Sequence, residues 1–125
     1  MKRFLFLTLL LPMISFAVVA NLDDVISALK EGNAAKMAKY FDNTVEVTMP
    51  DKSNSYSKGQ AEMIIKDFFA TNGVKSYTVI HKGENGGSQY CIGSLVTKNG
   101  TFRVTVYMKQ KGDKQVLQEI SFENT

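Results

Sequence analysis

The stretch SYSKGQAEMIIKDFF, residues 55–69, separates a short alternating segment, TVEVTM (44–49), from four longer segments that alternate in the same way. Ser57 followed by Gln60 forms a capping-box pattern at the start of a helix. The apolar residues that follow recur at helical spacing: they are Ala61, Ile64, Ile65 and Phe68. The sequence therefore predicts that a helix interrupts a sheet after its first strand.

Two more helices are predicted before that strand. The first has one apolar stripe, formed by Leu22, Val25, Ile26 and Leu29. Gly32 ends it, because a helix often closes on a residue with left-handed backbone. Asn33 caps the second helix, AAKMAKYF (34–41), and Asp42-Asn43 ends that helix.

The remaining strands are predicted at residues 75–82, 88–97, 101–110 and 115–123. Asn99-Gly100 between two alternating segments favours a two-residue hairpin turn, which places Leu95 opposite Val104. The polar segment DKSNSYS (51–57), before the third helix, is predicted to be a loop.

The turn at Gly112-Asp113 leaves two registers open. A two-residue turn places Glu119 opposite Val106 on the core face, where an unpaired carboxylate is costly. One extra residue, in the loop or in a bulge, places Ile120 opposite Val106 instead. We therefore expect the longer connection, with Glu119 beside Tyr107 on the outer face.

Residues 1–20, MKRFLFLTLLLPMISFAVVA, have the pattern of a secretory signal peptide. Lys2 and Arg3 precede an apolar run, and Ala17 and Ala20 are candidate cleavage positions. This region contains no cysteine for lipoprotein attachment. The sequence predicts a periplasmic or secreted protein, free of the membrane after cleavage, with a single domain at residues 21–125.

Composition narrows the classes of partner. Removing Lys2 and Arg3 lowers the formal net charge from +3 to +1, and the lysines are scattered singly, so no nucleic-acid surface is predicted. Cys91 is the only cysteine, so the chain cannot form an internal disulfide. With one cysteine and one histidine we expect neither a His- and Cys-rich zinc site nor another cofactor.

The segment ALKEGNAAKMAKYFDNTVEVTMP (28–50) resembles the opening of the nuclear transport factor 2-like (NTF2-like) superfamily, which has a cystatin-like relative. YSKGQAEMIIKDFF (56–69) resembles the third helix of that superfamily. The chain also resembles a small exported bacterial family described as a domain of unknown function. The resemblance implies an α+β fold: a cone-shaped, curved antiparallel sheet covered by the N-terminal helices.

Aromatic and methionine side chains suggest a ligand pocket in that cone. The predicted lining residues are Met37, Tyr40, Tyr56, Phe68 and Met108. A pocket with few polar groups favours a small apolar ligand. The alternative is that the same side chains fill the core.

The outer face of the sheet carries a second candidate surface. An apolar strip with charged neighbours is predicted there, formed by Tyr90, Ile92, Val96 and Tyr107. Such a strip is typical of a protein interface. Because the resemblance implies dimers through this face, we expect a homodimer.

Candidate catalytic groups are few. The direction of His81 depends on how many residues of the segment GENGG (83–87) form the turn between the two strands. An even number places His81 on the outer face beside Tyr90. An odd number places it in the cone beside Cys91, where it could act as a base. The apolar neighbours of Cys91 indicate an inert thiol.

The leading hypothesis is a non-enzymatic exported domain that binds a small ligand or a protein. The alternatives are a small lyase, isomerase or hydrolase using His81 or Asp42, and a structural protein with a filled cone.

Overall fold

The computed structural model describes residues 20–125, so the predicted signal peptide lies outside the described residues except for Ala20. The helices are α1 (Ala20–Glu31), α2 (Ala34–Ala38) and α3 (Lys58–Asn72). The strands are β1 (Phe41–Met49), β2 (Lys52–Ser57), β3 (Val74–Asn85), β4 (Ser88–Thr97), β5 (Gly100–Lys111) and β6 (Lys114–Asn124).

The strands form one curved sheet in the order β2-β1-β6-β5-β4-β3. The β1–β6 pair is parallel, and every other neighbouring pair is antiparallel. Helix α3 connects the edge strand β2 to the opposite edge strand β3, and it buries Ala61, Ile65 and Phe69 as it crosses. This crossing is why a helix interrupts the strands. The predicted α+β fold, a curved sheet covered by N-terminal helices, is confirmed.

The helix ends follow the local signals in the sequence. Gly32 has φ +65, the left-handed backbone that suits glycine after a helix. Asn33 accepts a hydrogen bond from the backbone N–H of Lys36 at 3.0 Å. Ser57 and Gln60 form the predicted capping box at the start of α3. Each of these three helix ends is determined by residues at most four positions apart in the chain. For this reason they could be predicted from the sequence.

Two predicted elements differ from the structure. The polar segment predicted as a loop contains β2, whose residues pair with β1 from Met49↔Lys52 to Thr44↔Ser57. An edge strand with solvent on both faces lacks the apolar alternation that reveals a strand. The second helix is also shorter than predicted, because β1 begins at Phe41 and the Asp42-Asn43 pair lies inside that strand.

The predicted register of the β4–β5 hairpin is wrong by two residues. Thr97 pairs with Gly100, so the turn residues are Lys98 and Asn99, and Leu95 lies opposite Phe102 rather than Val104. The Thr97 hydroxyl explains the shift, since it accepts from the Asn99 N–H at 3.1 Å and donates to the Gly100 carbonyl at 2.7 Å. A shift of two residues preserves the faces, so the predicted inner and outer sets are unchanged.

The β5–β6 register is confirmed, and a bulge produces it. Lys111 pairs with Lys114 across a two-residue turn, but the register shifts between Tyr107 and Met108. Beyond that shift Ile120 lies opposite Val106, and Glu119 lies opposite Tyr107 on the outer face. The bulge therefore keeps the Glu119 carboxylate out of the core.

A candidate ligand site at the polar end of the sheet

The first turn of α1 covers the end of the sheet where the β3–β4 and β5–β6 turns lie. The Asn21 side-chain amide donates to the Gln115 carbonyl on β6 at 3.3 Å. On the other side of the helix, Lys82 on β3 forms an ion pair with Asp23 at 3.2 Å. Leu22, between them, is buried. We call this region, where α1 meets β3, β4 and β6, the polar end.

An open pocket lies at the polar end, between α1 and the β3–β4 hairpin. Its volume is about 420 Å³. The lining residues are Leu22, Lys82, Gly83, Glu84 and Gln89. Gln89 pairs with Glu84 on one side and with Met108 on the other, so its side chain lies on the inner face of the sheet. The pocket wall therefore combines one apolar side chain, one amide and two opposite charges.

Two glutamine side chains at the polar end have buried oxygens without a donor. Within residues 20–125, no donor reaches Oε1 of Gln89 or Oε1 of Gln115. Gln115 is only 7% exposed. Its Nε2 donates to the Gly87 carbonyl at 2.8 Å, which fixes the amide orientation, because a reversed amide would bring two oxygens together. A buried acceptor without a donor is unfavourable by about 1–3 kcal/mol.

An acid–tyrosine pair joins α1 to the residue that precedes β1. The Tyr40 hydroxyl donates to Oδ2 of Asp24 at 2.5 Å. This hydrogen bond raises the pKa of Tyr40, because the proton is held against a carboxylate. The Tyr40 carbonyl also accepts from the Leu117 N–H at 2.6 Å, so this residue ties α1 to β6. The pair joins residues far apart in the sequence, and no local pattern pointed to Asp24.

The five predicted pocket residues do not line one opening. Met37 and Met108 are fully buried, so solvent reaches neither and both are part of the core. Phe68 packs on Phe122 with ring centroids 4.5 Å apart. Tyr40 binds Asp24, and Tyr56 lines a separate surface groove of about 600 Å³ between β2 and α3. Within the described chain, these side chains pack mainly as core, which was the alternative interpretation.

His81 lies outside the cone. The β3–β4 turn contains two residues, Gly86 and Gly87, which is the even-numbered case. The His81 ring is exposed, and its Nε2 lies 2.9 Å from the Tyr90 hydroxyl. His81 therefore lies on the outer face of the sheet, opposite to the face that carries Cys91.

The other two candidate groups are held by structural contacts. Asp42 accepts from Lys111 at 2.9 Å and from Gln118 at 3.1 Å, and these hydrogen bonds lower the pKa of its carboxyl group. Burial raises the pKa of the Cys91 thiol, which lies 3.6 Å from the Tyr77 hydroxyl. A carboxylate of lowered pKa is a poor general acid near neutral pH, and a thiol of raised pKa is a poor nucleophile.

The four residues of the predicted strip lie on the outer face of the sheet. Tyr90 lies directly opposite Tyr107, and both are partly exposed. Ile92 and Val96 continue along β4 on the same face and are partly exposed as well. Charged side chains flank the strip, since Arg103 lies opposite Glu123 on the same face and Glu119 lies opposite Tyr107. We keep the name outer strip for Tyr90, Ile92, Val96 and Tyr107.

Within residues 20–125, no helix is long and apolar enough to cross a membrane. The same residues contain no group of three or more His, Cys, Asp or Glu side chains placed to hold a metal ion.

Comparison with known proteins identifies relatives of the chain. A family model described as a domain of unknown function, DUF4783, matches residues 22–123. No curated protein matches the sequence. The chain is similar to the crystal structure of a DUF4783 family protein from Bacteroides uniformis, at 35% identity and TM-score 0.80, over 82% of this chain and 95% of that one.

Two other solved structures extend the comparison. A DUF4783 family protein from Bacteroides ovatus is 29% identical, with TM-score 0.79 over 82% of this chain and 93% of that one. An NTF2-like protein of unknown function from Cytophaga hutchinsonii is 12% identical, with TM-score 0.63 over 87% of this chain and 92% of that one. The second likeness concerns the fold alone, and it agrees with the predicted NTF2-like fold.

Proposed function

Since this chain belongs to the DUF4783 family and has the NTF2-like fold, we propose that it is a non-enzymatic domain that binds a small ligand at its polar end. One observation carries the proposal: a pocket of about 420 Å³ lies between α1 and the β3–β4 hairpin, and it is lined by Gln89, whose buried Oε1 has no donor among residues 20–125. Pockets of this size are usual for small molecules. A ligand with a donor group would remove an energetic penalty that the unliganded domain carries.

The contacts of the candidate catalytic groups support binding rather than catalysis. His81 bonds with Tyr90 outside the cone, Asp42 is held by Lys111, and Cys91 is buried. General acid–base catalysis needs a group within hydrogen-bond reach of the bound substrate. None of these three residues lines the pocket at the polar end.

The proposed ligand differs in character from the apolar one that the sequence suggested. The lining residues of the pocket include the Gln89 amide and the charged side chains of Lys82 and Glu84. The apolar side chains predicted to bind ligand, such as Met37 and Met108, are fully buried. The proposed ligand therefore has a polar end that faces these groups.

Native mass spectrometry of residues 21–125, isolated from the envelope fraction of the source cells, tests the proposal. We expect a bound small molecule in the wild-type spectrum and none with Gln89→Trp, whose larger side chain fills the pocket. Lys75→Trp is the control, because Lys75 is exposed near the start of β3, at the end of that strand far from the pocket. Ligand retained by Gln89→Trp would place its site elsewhere, and an unliganded wild-type protein would contradict the proposal.

Export is a further part of the proposed role. The signal-like residues 1–20 favour a protein that acts in the periplasm or outside the cell. The intact mass of the purified envelope protein reports whether the chain begins near Asn21. A mass that includes residues 1–20 would contradict cleavage.

Self-association through the outer strip is a second proposed property. Tyr90 and Tyr107 are cross-strand neighbours on a partly exposed face. Tyrosine is enriched at protein interfaces because its ring is apolar and its hydroxyl can hydrogen bond. We propose that two copies of the chain pack through this strip.

A further inference from the structure

We infer that the open edge of β2 and the groove beside it form a docking site for an extended, acidic segment of a partner protein. The segment would add a strand to β2 and place one apolar side chain in the groove. This site is separate from the pocket at the polar end, which lies at the β3–β4 hairpin on the other side of the sheet. The inference therefore goes beyond the proposed function.

The two edge strands of the described sheet differ in regularity. The pairing of β3 with β4 is interrupted by two register shifts. Such bulges protect an edge against pairing with another chain. The pairing of β2 with β1 is continuous over all six residues of the strand, Lys52–Ser57. Of the two edges, β2 is therefore the one whose geometry accepts a further strand.

Backbone groups of β2 face the open edge. The Ser57 N–H points away from β1, because it donates to Oε1 of Gln60 at 3.3 Å. In an antiparallel pair, every second residue directs its N–H and C=O groups away from the partner strand. Counting back by two, Ser55 and Ser53 present these groups to the open edge. Every residue of β2 except Tyr56 is exposed, so an added strand could reach them.

The groove beside β2 supplies a site for one side chain of the added strand. Its volume is about 600 Å³, and its lining residues are Tyr56, Ser57, Gly59, Gln60, Met63 and Ile64. None of these residues is charged, and Met63 is 62% exposed. Sites of strand addition gain affinity from backbone hydrogen bonds and specificity from pockets for alternate side chains. An open edge with an apolar groove beside it has both parts.

The charges near β2 favour an acidic partner over a second copy of this chain. Lys52 is the first residue of β2, Lys58 is the first residue of α3, and no other charged residue lies within positions 52–61. Neither lysine forms an ion pair within residues 20–125. Antiparallel pairing of two β2 strands in full register would bring Lys52 of each copy near Lys58 of the other, which is unfavourable. Carboxylates at the two ends of a peptide would instead neutralise both lysines.

Fluorescence anisotropy with labelled peptides tests the inference on residues 21–125. The probe is the capped peptide Glu-Val-Thr-Phe-Val-Glu, and the charge control is Lys-Val-Thr-Phe-Val-Lys. We expect saturable binding of the acidic peptide, and binding of the lysine peptide that is weaker by about tenfold. In the double variant Lys52→Glu, Lys58→Glu this preference should reverse. Lys75→Glu, on an exposed residue of β3, should leave the preference unchanged.

Two further variants locate the peptide on the edge and in the groove. Ser55→Pro removes an N–H that faces the open edge, where a strand tolerates proline, so affinity for the acidic peptide should fall by about tenfold. Ser55→Ala retains that N–H and should bind as the wild type does. Met63→Asp places a charge in the groove and should also weaken binding, whereas Met63→Leu should not. Circular dichroism reports that each variant is folded.

Each other outcome would overturn the inference. No saturable binding of the acidic peptide would do so, as would equal binding of the two peptides. Unchanged affinity in folded Met63→Asp and Ser55→Pro would place the peptide elsewhere. A dimer that Ser55→Pro dissociates would identify a second copy as the occupant of the edge. Gln89→Trp, which fills the pocket at the polar end, should bind the peptide normally, so this test and that of the proposed function fail independently.

Discussion

The ring of Tyr77 on β3 lies across the backbone of Gly93 on β4, and its hydroxyl donates to the Val104 carbonyl on β5 at 3.0 Å. A single buried side chain thus spans three neighbouring strands. A Cβ at Gly93 would lie 2.6 Å from the Thr78 carbonyl and would also meet the Tyr77 ring. The close approach of ring and backbone is possible only because residue 93 is glycine.

Gly93→Val should therefore destabilise the domain strongly. Overpacking of a well-packed site usually lowers stability by about 1–3 kcal/mol, and here the backbone of β3 opposes relaxation. Urea denaturation followed by circular dichroism gives the change in the free energy of unfolding. Gly59→Ala is the control, because a Cβ at Gly59 meets nothing within 4 Å, and it should raise stability by about 0.5–1 kcal/mol. Equal midpoints for Gly93→Val and the wild type would contradict the packing described above.

Tyr77→Phe should lower the free energy of unfolding by about 1–3 kcal/mol, since it leaves the buried Val104 carbonyl without this donor. Burial raises the pKa of Tyr77, so the folded state holds the phenolic proton more tightly than the unfolded state. The contribution of the Tyr77 hydroxyl to the free energy of unfolding is fully present below the pKa of an unfolded tyrosine, about 10, and it decreases as the pH rises above that value. The difference in unfolding free energy between wild type and Tyr77→Phe should therefore shrink above about pH 10. A constant difference across that range would count against this role.

Asp42→Asn should have the opposite pH dependence. Hydrogen bonds from Lys111 and Gln118 lower the pKa of Asp42, so its stabilising effect is present above the unfolded pKa of about 3.9 and is lost as the pH falls. We expect Asp42→Asn to be less stable than wild type at neutral pH and closer to it near about pH 3. Chemical denaturation at both pH values measures this. Asp67→Asn, on an exposed residue of α3, should show no comparable difference.

Tyr107→Lys should convert the proposed dimer into a monomer, because it places a charge in the outer strip directly opposite Tyr90. Light scattering coupled to size-exclusion chromatography gives the molar mass. Met63→Lys is the control, since Met63 is 62% exposed on α3, which covers the opposite face of the sheet. A mass that is the same for wild type and Tyr107→Lys would remove the outer strip as the interface.

Local signals in the sequence identified most of the fold. The Ser57–Gln60 capping box, the Gly32 helix end and the bulge that moves Glu119 outward all depend on near neighbours or on the cost of burying a charge. Strand β2 was missed because both its faces are largely exposed, so it has no apolar alternation. The β4–β5 register was missed because the Thr97 hydroxyl selects a different turn from the one that Asn99-Gly100 suggests.

The site was harder to predict than the fold. Gln89 is an ordinary polar residue in the sequence, and its place in a pocket arises only because the first turn of α1 packs beside the β3–β4 hairpin. The Asp24–Tyr40 pair likewise requires the return of the chain from α2. Tyr40 was identified from its aromatic character alone.

The place of β6 in the sheet has a consequence for the order in which the domain folds. This strand, Lys114–Asn124, lies between β1 and β5, so the β1–β2 hairpin joins the rest of the sheet only through β6. Pairing of segments that are distant in the sequence slows folding. We therefore expect the β1–β6 pairing to form late, after the antiparallel strands β3 to β6 have assembled through their short turns.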